Sequence, residues 1–223
     1  FLLIGHLSLS PLIMSISPMV IDQRDAYLSS HQYAEQLEGQ TMSKRAIVVV
    51  DLQNDYFPGG KYELVGIDKA AANAARVIEA AREKGDRVIH VQHIFPTQDA
   101  PFFTPDSEGI KINPAVAPRE GETVVVKNHP NSFLKTELKE ILDADGIEDV
   151  VVVGAMSHMC IDATTRAASD YGYRTIVVQD ACATRDLEHE GVTVPAASVH
   201  AAMMSALGFA YATITDTDAY TAQ

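Results

Sequence analysis

Short apolar runs alternate with amphipathic segments along the chain from Met42 onward. Such runs, bounded by polar or turn-forming residues, are typical of strands that are buried on both faces of a parallel sheet. Six segments fit this description: Ala46–Val50, Val88–Val91, Thr123–Val126, Val150–Val153, Thr175–Val178 and Ala212–Ile214. We therefore predict six strands of one sheet.

Apolar residues recur at helical spacing between most of these runs. The predicted helices are Ile67–Lys84, Leu134–Ala144, Ile161–Tyr171 and Ala196–Leu207. Strands that alternate with helices predict an α/β fold with three layers, in which a doubly wound, mostly parallel six-stranded, Rossmann-like sheet lies between helices. The segment Phe95–Pro118 is rich in proline, aspartate and aromatic residues. It is predicted to be a long loop, and such loops in compact domains are usually functional.

The chain of 223 residues suits one sizeable domain, which we assign to residues 42–223. The first 41 residues start with an apolar stretch that Pro11 and Pro18 interrupt, without a basic leading region or a small-residue cleavage site. Residues 1–41 are interpreted as a leader foreign to the natural protein. The alternative is a native arm whose segment Ile21–Leu37 forms a helix on a neighbouring subunit.

Charge and cysteine content narrow the class of partner. The formal net charge is −13 and the isoelectric point is near 4.9, which argues against nucleic acid and anionic membranes as partners. The two cysteines, Cys160 and Cys182, lie too far apart for a zinc-type pair and cannot build a disulfide framework. We expect a cytoplasmic protein that acts on a small molecule.

Three reactive side chains follow predicted strands. Asp51 ends the first run, Lys127 follows the third, and Cys160 comes shortly after the fourth. Ligands of such sheets bind at the carboxyl ends of the strands, so we expect one site there. Asp51 would take the thiol proton and Lys127 would hold the carboxylate, while the helix starting after Cys160 would stabilise an anion. This pattern favours acyl transfer through a thioester.

Each of these residues also has an ordinary structural interpretation. A single cysteine in an apolar domain is often a buried packing residue. An aspartate at a strand end often forms a turn, and a lysine there is often solvated. Cys182 also follows a strand, but without a comparable turn, and is interpreted as a packing residue.

The segments VVVDLQNDY, VVVKNHPNSF and VVVGAMSHMCIDATTRAASDYGY together resemble the isochorismatase-like cysteine hydrolase superfamily. This superfamily includes nicotinamidases, N-carbamoylsarcosine amidases and streptothricin-hydrolase-like enzymes. QDACATRD and VPAASVHAAMMSALG fit as well, so the resemblance spans Met42 to Thr217. It implies the isochorismatase-type fold, a homo-oligomer and an Asp51–Lys127–Cys160 triad. It also implies an oxyanion hole from the backbone N–H groups of Met156 and Cys160, and a cis peptide between Ala155 and Met156.

The region of the second strand departs from the nicotinamidase pattern, in which an Asp-x-His motif and a further histidine bind a divalent metal. Here His90 and His93 are three residues apart, which places their rings on opposite faces of a strand. Asp99 is the nearest following carboxylate. We therefore predict no metal and no cofactor. His93 is expected to reach the pocket, and His90 to be a core or interface residue.

Further residues are predicted to line the substrate pocket. His158 stands two residues before Cys160, where many nicotinamidase-type members carry aspartate. It either lines the pocket or assists the leaving group, or else it caps the helix or lies outside the site. Asn131 replaces the serine of the common lysine motif, and Ser132 is displaced by one position. The aromatic candidates are also ordinary core or loop residues. The full set of pocket candidates is Phe57, His93, Phe102, Phe103, Asn131, Phe133 and His158.

The function predicted from these residues is hydrolysis of a carbon–nitrogen bond in a small amide or lactam by a metal-independent cysteine hydrolase. One alternative is a vinyl-ether hydrolase of the isochorismatase type, whose chemistry does not need a cysteine nucleophile. Another is a binding or scaffold protein without catalysis. Covalent labelling of Cys160 by an electrophile distinguishes these alternatives.

Overall fold

A six-stranded parallel sheet forms the centre of the protein. The computed structural model describes residues 44–223, so the predicted leader or arm at 1–41 lies outside the described residues. The strands are β1 (Arg45–Val50), β2 (Arg87–His93), β3 (Thr123–Lys127), β4 (Asp149–Ala155), β5 (Arg174–Ala183), β6 (Leu187–His189), β7 (Val192–Val194) and β8 (Thr213–Thr215). Their order in the main sheet is β3-β2-β1-β4-β5-β8, and every pair is parallel. The strand order reverses at β1, which places the ligand-binding crevice at the carboxyl ends of β1 and β4.

Helices cover both faces of this sheet. The helices are α1 (Ile67–Lys84), α2 (Leu138–Ala144), α3 (Asp162–Asp170), α4 (Ala196–Ala210) and α5 (Thr217–Thr221). Alternate residues of β1 belong to the two cores: Ile47 and Val49 pack with α1 and α5, whereas Ala46 and Val48 pack with α2, α3 and α4. The predicted three-layer fold is therefore confirmed. Among the described residues, no helix is both long and apolar enough to span a membrane.

Two helix starts differ from the prediction. The helix expected from Leu134 begins at Leu138, because Lys135 adopts a left-handed backbone conformation with a φ of 58°. The hydroxyl of Thr136 donates to the Ser132 carbonyl within this turn. The helix expected from Ile161 is preceded by a π-helical turn, Ser157–Ile161. Cys160 thus lies inside the helical segment, one turn after its start, rather than ahead of it.

Two further segments refine the prediction. The loop Phe95–Pro118 contains two 3₁₀ turns, Glu108–Ile110 and Pro114–Val116. A hairpin made of β6 and β7, which the apolar pattern did not indicate, follows β5. Its strands are only three residues long and are largely exposed, so the hairpin carries no buried run for the pattern to detect.

Gly154 allows β4 to press against the end of β1. Its φ is +128°, and a β-carbon at this position would lie 1.9 Å from the carbonyl oxygen of Val50. The register between β4 and β5 also shifts here, between Val152 and Gly154. The close approach brings the turn that carries Cys160 against the end of β1, so a side chain at position 154 would disturb the candidate site.

We expect Gly154→Ala to lower the free energy of unfolding by about 3 kcal/mol or more, because backbone strain and overpacking add. Gly172→Ala is the matched control, since Gly172 also has a positive φ of 94° but no atom within 4 Å of an added β-carbon. This control should lose only about 1–2 kcal/mol. Urea unfolding of both variants measures the difference, and equal losses would contradict the close-approach argument.

Candidate active site

A buried ion pair joins the ends of β1 and β3. Asp51 directly follows β1, and Lys127 is the last residue of β3. The Lys127 Nζ lies 2.8 Å from the Asp51 Oδ2, and both side chains are fully buried. Burial by itself lowers the pKa of Lys127, but the negative charge of the adjacent Asp51 is the largest opposing effect, and the net pKa is raised. Lys127 therefore stays charged and fixes the carboxylate in place.

The backbone at Asp51 is strained. Asp51 has a left-handed φ of 53° and donates its N–H to the Val91 carbonyl of β2 at 3.0 Å. A non-glycine residue in this region costs about 1–3 kcal/mol and persists where the surrounding structure enforces it, often at functional sites. The strained turn is held on one side by β2 and on the other by the Lys127 ammonium.

His93, at the end of β2, adjoins the ion pair. Its Nδ1 lies 3.3 Å from the Lys127 Nζ and 3.9 Å from the Asp51 Oδ2. Burial lowers the pKa of His93 to about 4, with a further lowering by Lys127 that Asp51 opposes. The ring is neutral at neutral pH, and its Nδ1 accepts from lysine, a donor only, so Nε2 carries the proton. Among the described residues this buried Nε2 has no hydrogen-bond partner, which makes it a donor available to a ligand.

Gln53 orients His93 through its backbone. The Gln53 side chain donates to the His93 carbonyl at 2.8 Å and accepts from the His93 N–H at 2.7 Å. It also donates to the Ile110 carbonyl in the long loop at 2.8 Å. The hydrophobic pattern carried no signal for this role beyond the position of Gln53 two residues after Asp51.

Cys160 lies beside Asp51 and His93. The ligating atoms of these three residues all lie within 4.8 Å of one another, and all three side chains are buried. Burial raises the pKa of the Cys160 thiol, the Asp51 charge raises it further, and Lys127 opposes both. The thiol is therefore protonated at rest, and the positive potential of Lys127 does not by itself produce a thiolate. A reaction at this sulfur needs a base, and Asp51 is the adjacent carboxylate.

The turn before Cys160 is held from two sides. The peptide bond between Ala155 and Met156 is cis. The Met156 carbonyl accepts from the N–H groups of Met159 and Ile161 at 3.0 and 3.1 Å. The hydroxyl of Ser157 lies 3.3 Å from the Ala183 carbonyl and 2.8 Å from the Nδ1 of His200 on α4. These contacts fix the backbone that leads to the thiol.

The long loop supplies an aromatic wall next to His93. The rings of Phe95 and Phe103 lie 4.7 and 6.0 Å from the His93 ring, and Phe102 packs edge-on against Phe95 at 5.2 Å. The buried carboxylate of Asp55 accepts from the Phe103 N–H at 2.6 Å and so ties the loop down. Of the predicted pocket residues, Phe102 and Phe103 are thus brought to the His93 side of the site.

The other predicted pocket residues occupy several environments. Phe57 lines a separate surface cleft formed by loop residues around Asn54 and Gly109. Asn131 accepts from the Phe133 N–H at 2.9 Å and shapes the turn, while the Phe133 ring packs 5.2 Å from Tyr171. The structure thus gives local packing roles to these three candidates. Phe133 still belongs to the apolar cluster that contains Cys160.

His158 and Cys182 have distinct surroundings. The half-buried His158 places its Nδ1 2.6 Å from the Thr184 hydroxyl, at the end of β5. The thiol of Cys182 donates to the Val178 carbonyl at 3.4 Å within its own strand. The His158 ring is thus held against the end of β5, whereas Cys182 is a packing residue within that strand.

The two histidines of β2 do not share a site. His90 places its Nε2 3.1 Å from the Glu122 Oε2, away from His93. Asp51, His93 and Cys160 could offer three ligands to a cation. However, the Lys127 ammonium already lies 2.8 Å from the Asp51 carboxylate and would repel such an ion. This arrangement therefore fits Lys127, rather than a metal ion, as the positive charge that balances Asp51.

We expect Lys127→Met to lower the free energy of unfolding by about 3–5 kcal/mol, because it leaves the Asp51 carboxylate buried without a counter-charge. The double variant Asp51→Asn, Lys127→Met removes both charges and should recover part of this loss. Lys139→Met is the control, since it breaks an exposed pair with Asp143 and should cost about 0.5 kcal/mol or less. Urea unfolding at neutral pH measures all three, and a Lys127→Met protein as stable as the parent would contradict the buried pair.

His93 should make stability depend on pH. Because its pKa is near 6.5 in the unfolded chain and about 4 when folded, the unfolded chain binds more protons between these values. The free energy of unfolding should therefore fall as the pH drops from 6.5 to 4, by up to about 3 kcal/mol from this group. The His93→Gln variant should lack this part of the pH dependence. Parallel stability curves for the two proteins between pH 7 and 4 would show that His93 does not titrate in this way.

Comparison with known proteins shows the family to which this chain belongs. The family model described as the isochorismatase domain matches residues 45–219. An uncharacterised isochorismatase family protein of Bacillus subtilis strain 168 is 50% identical over 175 residues, which are 78% of this chain and 97% of the relative. Maleamate amidohydrolase of Pseudomonas putida KT2440 is 31% identical over 156 residues, covering 64% of this chain and 73% of the relative.

Solved structures agree with the sequence relatives. A crystal structure from Oleispira antarctica, described as an isochorismatase hydrolase, superposes with a TM-score of 0.79 at 52% identity and covers 83% of this chain and 100% of its own. Proteins named streptothricin hydrolase, N-carbamoylsarcosine amidase and nicotinamidase are also relatives. This chain therefore belongs to the isochorismatase family and is a hydrolase of that family, related to amidases and nicotinamidase.

Proposed function

We propose that this protein hydrolyses a carbon–nitrogen bond of a small amide or lactam through a thioester on Cys160. The observation that carries the proposal is the convergence of a buried thiol, a carboxylate and a lysine at the carboxyl edge of the sheet. Relatives named for hydrolysis of amides, such as maleamate amidohydrolase and N-carbamoylsarcosine amidase, support this substrate class.

The first half of the proposed reaction forms the thioester. Asp51 takes the proton of the Cys160 thiol as the sulfur attacks the amide carbonyl carbon, and the carbonyl oxygen becomes an oxyanion. The backbone N–H groups of Met156 and Cys160 donate to this oxygen. The protonated Asp51 then gives its proton to the leaving nitrogen, the carbon–nitrogen bond breaks, and an amine or ammonia departs.

The second half returns the enzyme to its resting state. Asp51 takes a proton from water, the hydroxide adds to the thioester carbonyl, and the sulfur leaves with the proton that Asp51 returns. Lys127 keeps Asp51 in position throughout, through their contact of 2.8 Å. The unpartnered Nε2–H of His93 donates a hydrogen bond to the bound substrate, and the wall of Phe102 and Phe103 excludes water.

We also propose that the protein works in a reducing cytoplasm and as a homo-oligomer, without a metal or another cofactor. Two free cysteines in the described residues are compatible with a reducing compartment. The edge strand β3 exposes Val124 and Val126, with 38% and 47% of their surface accessible. Apolar side chains on an exposed sheet edge support self-association.

Replacing the nucleophile tests the proposed reaction. We expect Cys160→Ala to lower kcat on a panel of small amides by about 10³-fold or more, because no other group can form the acyl intermediate. Cys182→Ala is the matched control, since it removes the other buried free thiol and should keep most of the activity. Mass spectrometry of the wild-type protein with a slowly hydrolysed amide should find the acyl group on the peptide that contains Cys160.

Other outcomes of this experiment point to the alternative functions. Cleavage of isochorismate that survives in Cys160→Ala would favour the vinyl-ether hydrolase and contradict the thioester route. A wild-type thiol that neither iodoacetamide nor any amide modifies at neutral pH would favour a binding protein. Full amidase activity of Cys160→Ala would contradict the proposal as well.

A further inference from the structure

His200 is the only titratable residue within α4, and it contacts the turn that carries Cys160. The rest of Ala196–Ala210 consists of apolar residues, serine and glycine. The half-buried His200 places its Nδ1 2.8 Å from the hydroxyl of Ser157, a fully buried residue. Ser157 is the first residue of the π-helical turn that contains Cys160. α4 thus meets this turn through a directed polar contact and not through apolar packing alone.

The Ser157 hydroxyl has a second partner on the neighbouring strand. It donates to the carbonyl of Ala183 at 3.3 Å. Ala183 pairs with Ala155, the last residue of β4. The side-chain bond therefore continues the contact between β4 and β5 beyond the last backbone pair. It holds the chain against β5 at the point where the chain leaves the sheet.

The two contacts of Ser157 determine which nitrogen of His200 carries the proton. A hydroxyl has one proton, and the Ala183 carbonyl can only accept a hydrogen bond. Because the hydroxyl donates to Ala183, the Nδ1 of His200 has to donate to the hydroxyl, and the neutral ring carries its proton on Nδ1. Burial lowers the pKa of His200 from its ordinary value of 6.5, which favours the neutral ring at neutral pH. The bonds thus run in one direction, from the imidazole of α4 through the hydroxyl to β5.

The tethered turn carries both of the proposed oxyanion donors. Ser157 directly follows Met156, and the Met156 carbonyl accepts from the N–H groups of Met159 and Ile161 at 3.0 and 3.1 Å. These two donors flank Cys160 in sequence, so the same turn fixes the Cys160 N–H relative to Met156. The position of Ser157 therefore governs where both N–H groups lie relative to the sheet. A displacement of about 1 Å in a catalytic group can slow a reaction by about 100-fold.

We infer that His200 and Ser157 are positioning residues, which act as one hydrogen-bonded chain to hold the backbone N–H groups of Met156 and Cys160 at the oxyanion. This role requires no contact between either side chain and the substrate. The two residues should matter when a carbonyl oxygen becomes negative, and little when the sulfur reacts without forming an oxyanion. The inference rests on the proposed attack of Cys160 on a carbonyl carbon.

Small aldehydes test this inference without a known substrate. The Cys160 sulfur adds to the aldehyde carbon, the thiol proton passes to Asp51, and the carbonyl oxygen becomes an oxyanion at the two N–H groups. The adduct is reversible and blocks alkylation by iodoacetamide, a reaction that forms no oxyanion. Propanal and benzaldehyde are the probes. Each is added in increasing concentration while iodoacetamide labels Cys160, and mass spectrometry measures the labelling rate.

The variants remove or restore single members of the chain. Ser157→Ala and His200→Leu each break it, and the double variant combines the two changes. Ser157→Thr keeps the hydroxyl, and His200→Asn keeps an N–H donor near the place of Nδ1. Leu207→Ala is the matched control, since Leu207 is fully buried and lies about two turns further along the same face of α4. Urea unfolding shows whether each variant is folded.

We expect Ser157→Ala and His200→Leu each to raise the aldehyde concentration that halves the labelling rate by about 10- to 100-fold, because the N–H groups no longer meet the oxyanion. The double variant should lose no more than the weaker single variant, because both changes break the same chain. Ser157→Thr and His200→Asn should recover most of the protection.

Two measurements distinguish positioning from a general loss of structure. Labelling without an aldehyde should stay near the wild-type rate in every variant of the chain, because alkylation needs no oxyanion hole. Leu207→Ala should unfold at a lower urea concentration than the wild type, because it leaves a cavity under α4. It should nevertheless keep the wild-type protection by the aldehydes.

The outcomes separate this inference from the function on which it rests. Unchanged protection in Ser157→Ala and His200→Leu would overturn it, as would losses that add in the double variant or an equal loss in Leu207→Ala. A His200→Asn protein as weak as His200→Leu would overturn the donation from Nδ1. In these cases the wild-type result leaves the cysteine chemistry standing. A wild-type Cys160 that iodoacetamide does not label, or that neither aldehyde protects, would contradict the proposed attack on a carbonyl, and the inference would fall with it.

Discussion

The buried ion pair between Asp51 and Lys127 is the contact on which the site depends. Removing two charges from water costs several kcal/mol per ion, and only close, well-placed partners offset that cost. The Lys127 Nζ has four such neighbours: the Asp51 carboxylate, the His93 ring and the carbonyls of His129 and Pro130. Asp51 follows β1 and Lys127 ends β3, so their contact passes across the end of β2, which lies between these two strands. The three strands therefore have to end at the same level of the sheet. The same contact therefore organises the sheet edge and the candidate chemistry.

The ion pair also bears on the proposed role of a deeply buried thiol as a nucleophile. A reactive cysteine is usually exposed and has a lowered pKa, whereas burial and Asp51 raise the pKa of Cys160. At rest the site consists of an ion pair, a neutral histidine and a neutral thiol, so its net charge is zero. Burying this set of side chains, whose charges sum to zero, costs less free energy than burying an unpaired thiolate. The proton that blocks the sulfur lies beside the carboxylate that can remove it.

Ligands of parallel sheets bind at the carboxyl ends of the strands, and this rule explains how the sequence indicated the candidate site. Carboxyl ends of parallel strands meet at one edge of the sheet, so Asp51, Lys127 and Cys160 could be grouped from their positions after apolar runs. The same reasoning separated His90 from His93, because three positions along a strand reverse the face. It did not foresee that Phe57 lines another cleft, and it did not detect the role of Gln53. Those roles depend on loop conformation, which hydrophobic periodicity does not encode.

The local alternation of apolar and polar positions was enough to specify the three-layer fold and the edge of the sheet at which reactive residues collect. Which of those residues touch was settled by long-range packing. Lys127 and His93 are 34 residues apart and His158 and Thr184 are 26 apart, yet each pair is in contact. The protonation of Cys160 and His93 also depends on the complete fold, since desolvation comes from the packing of distant segments.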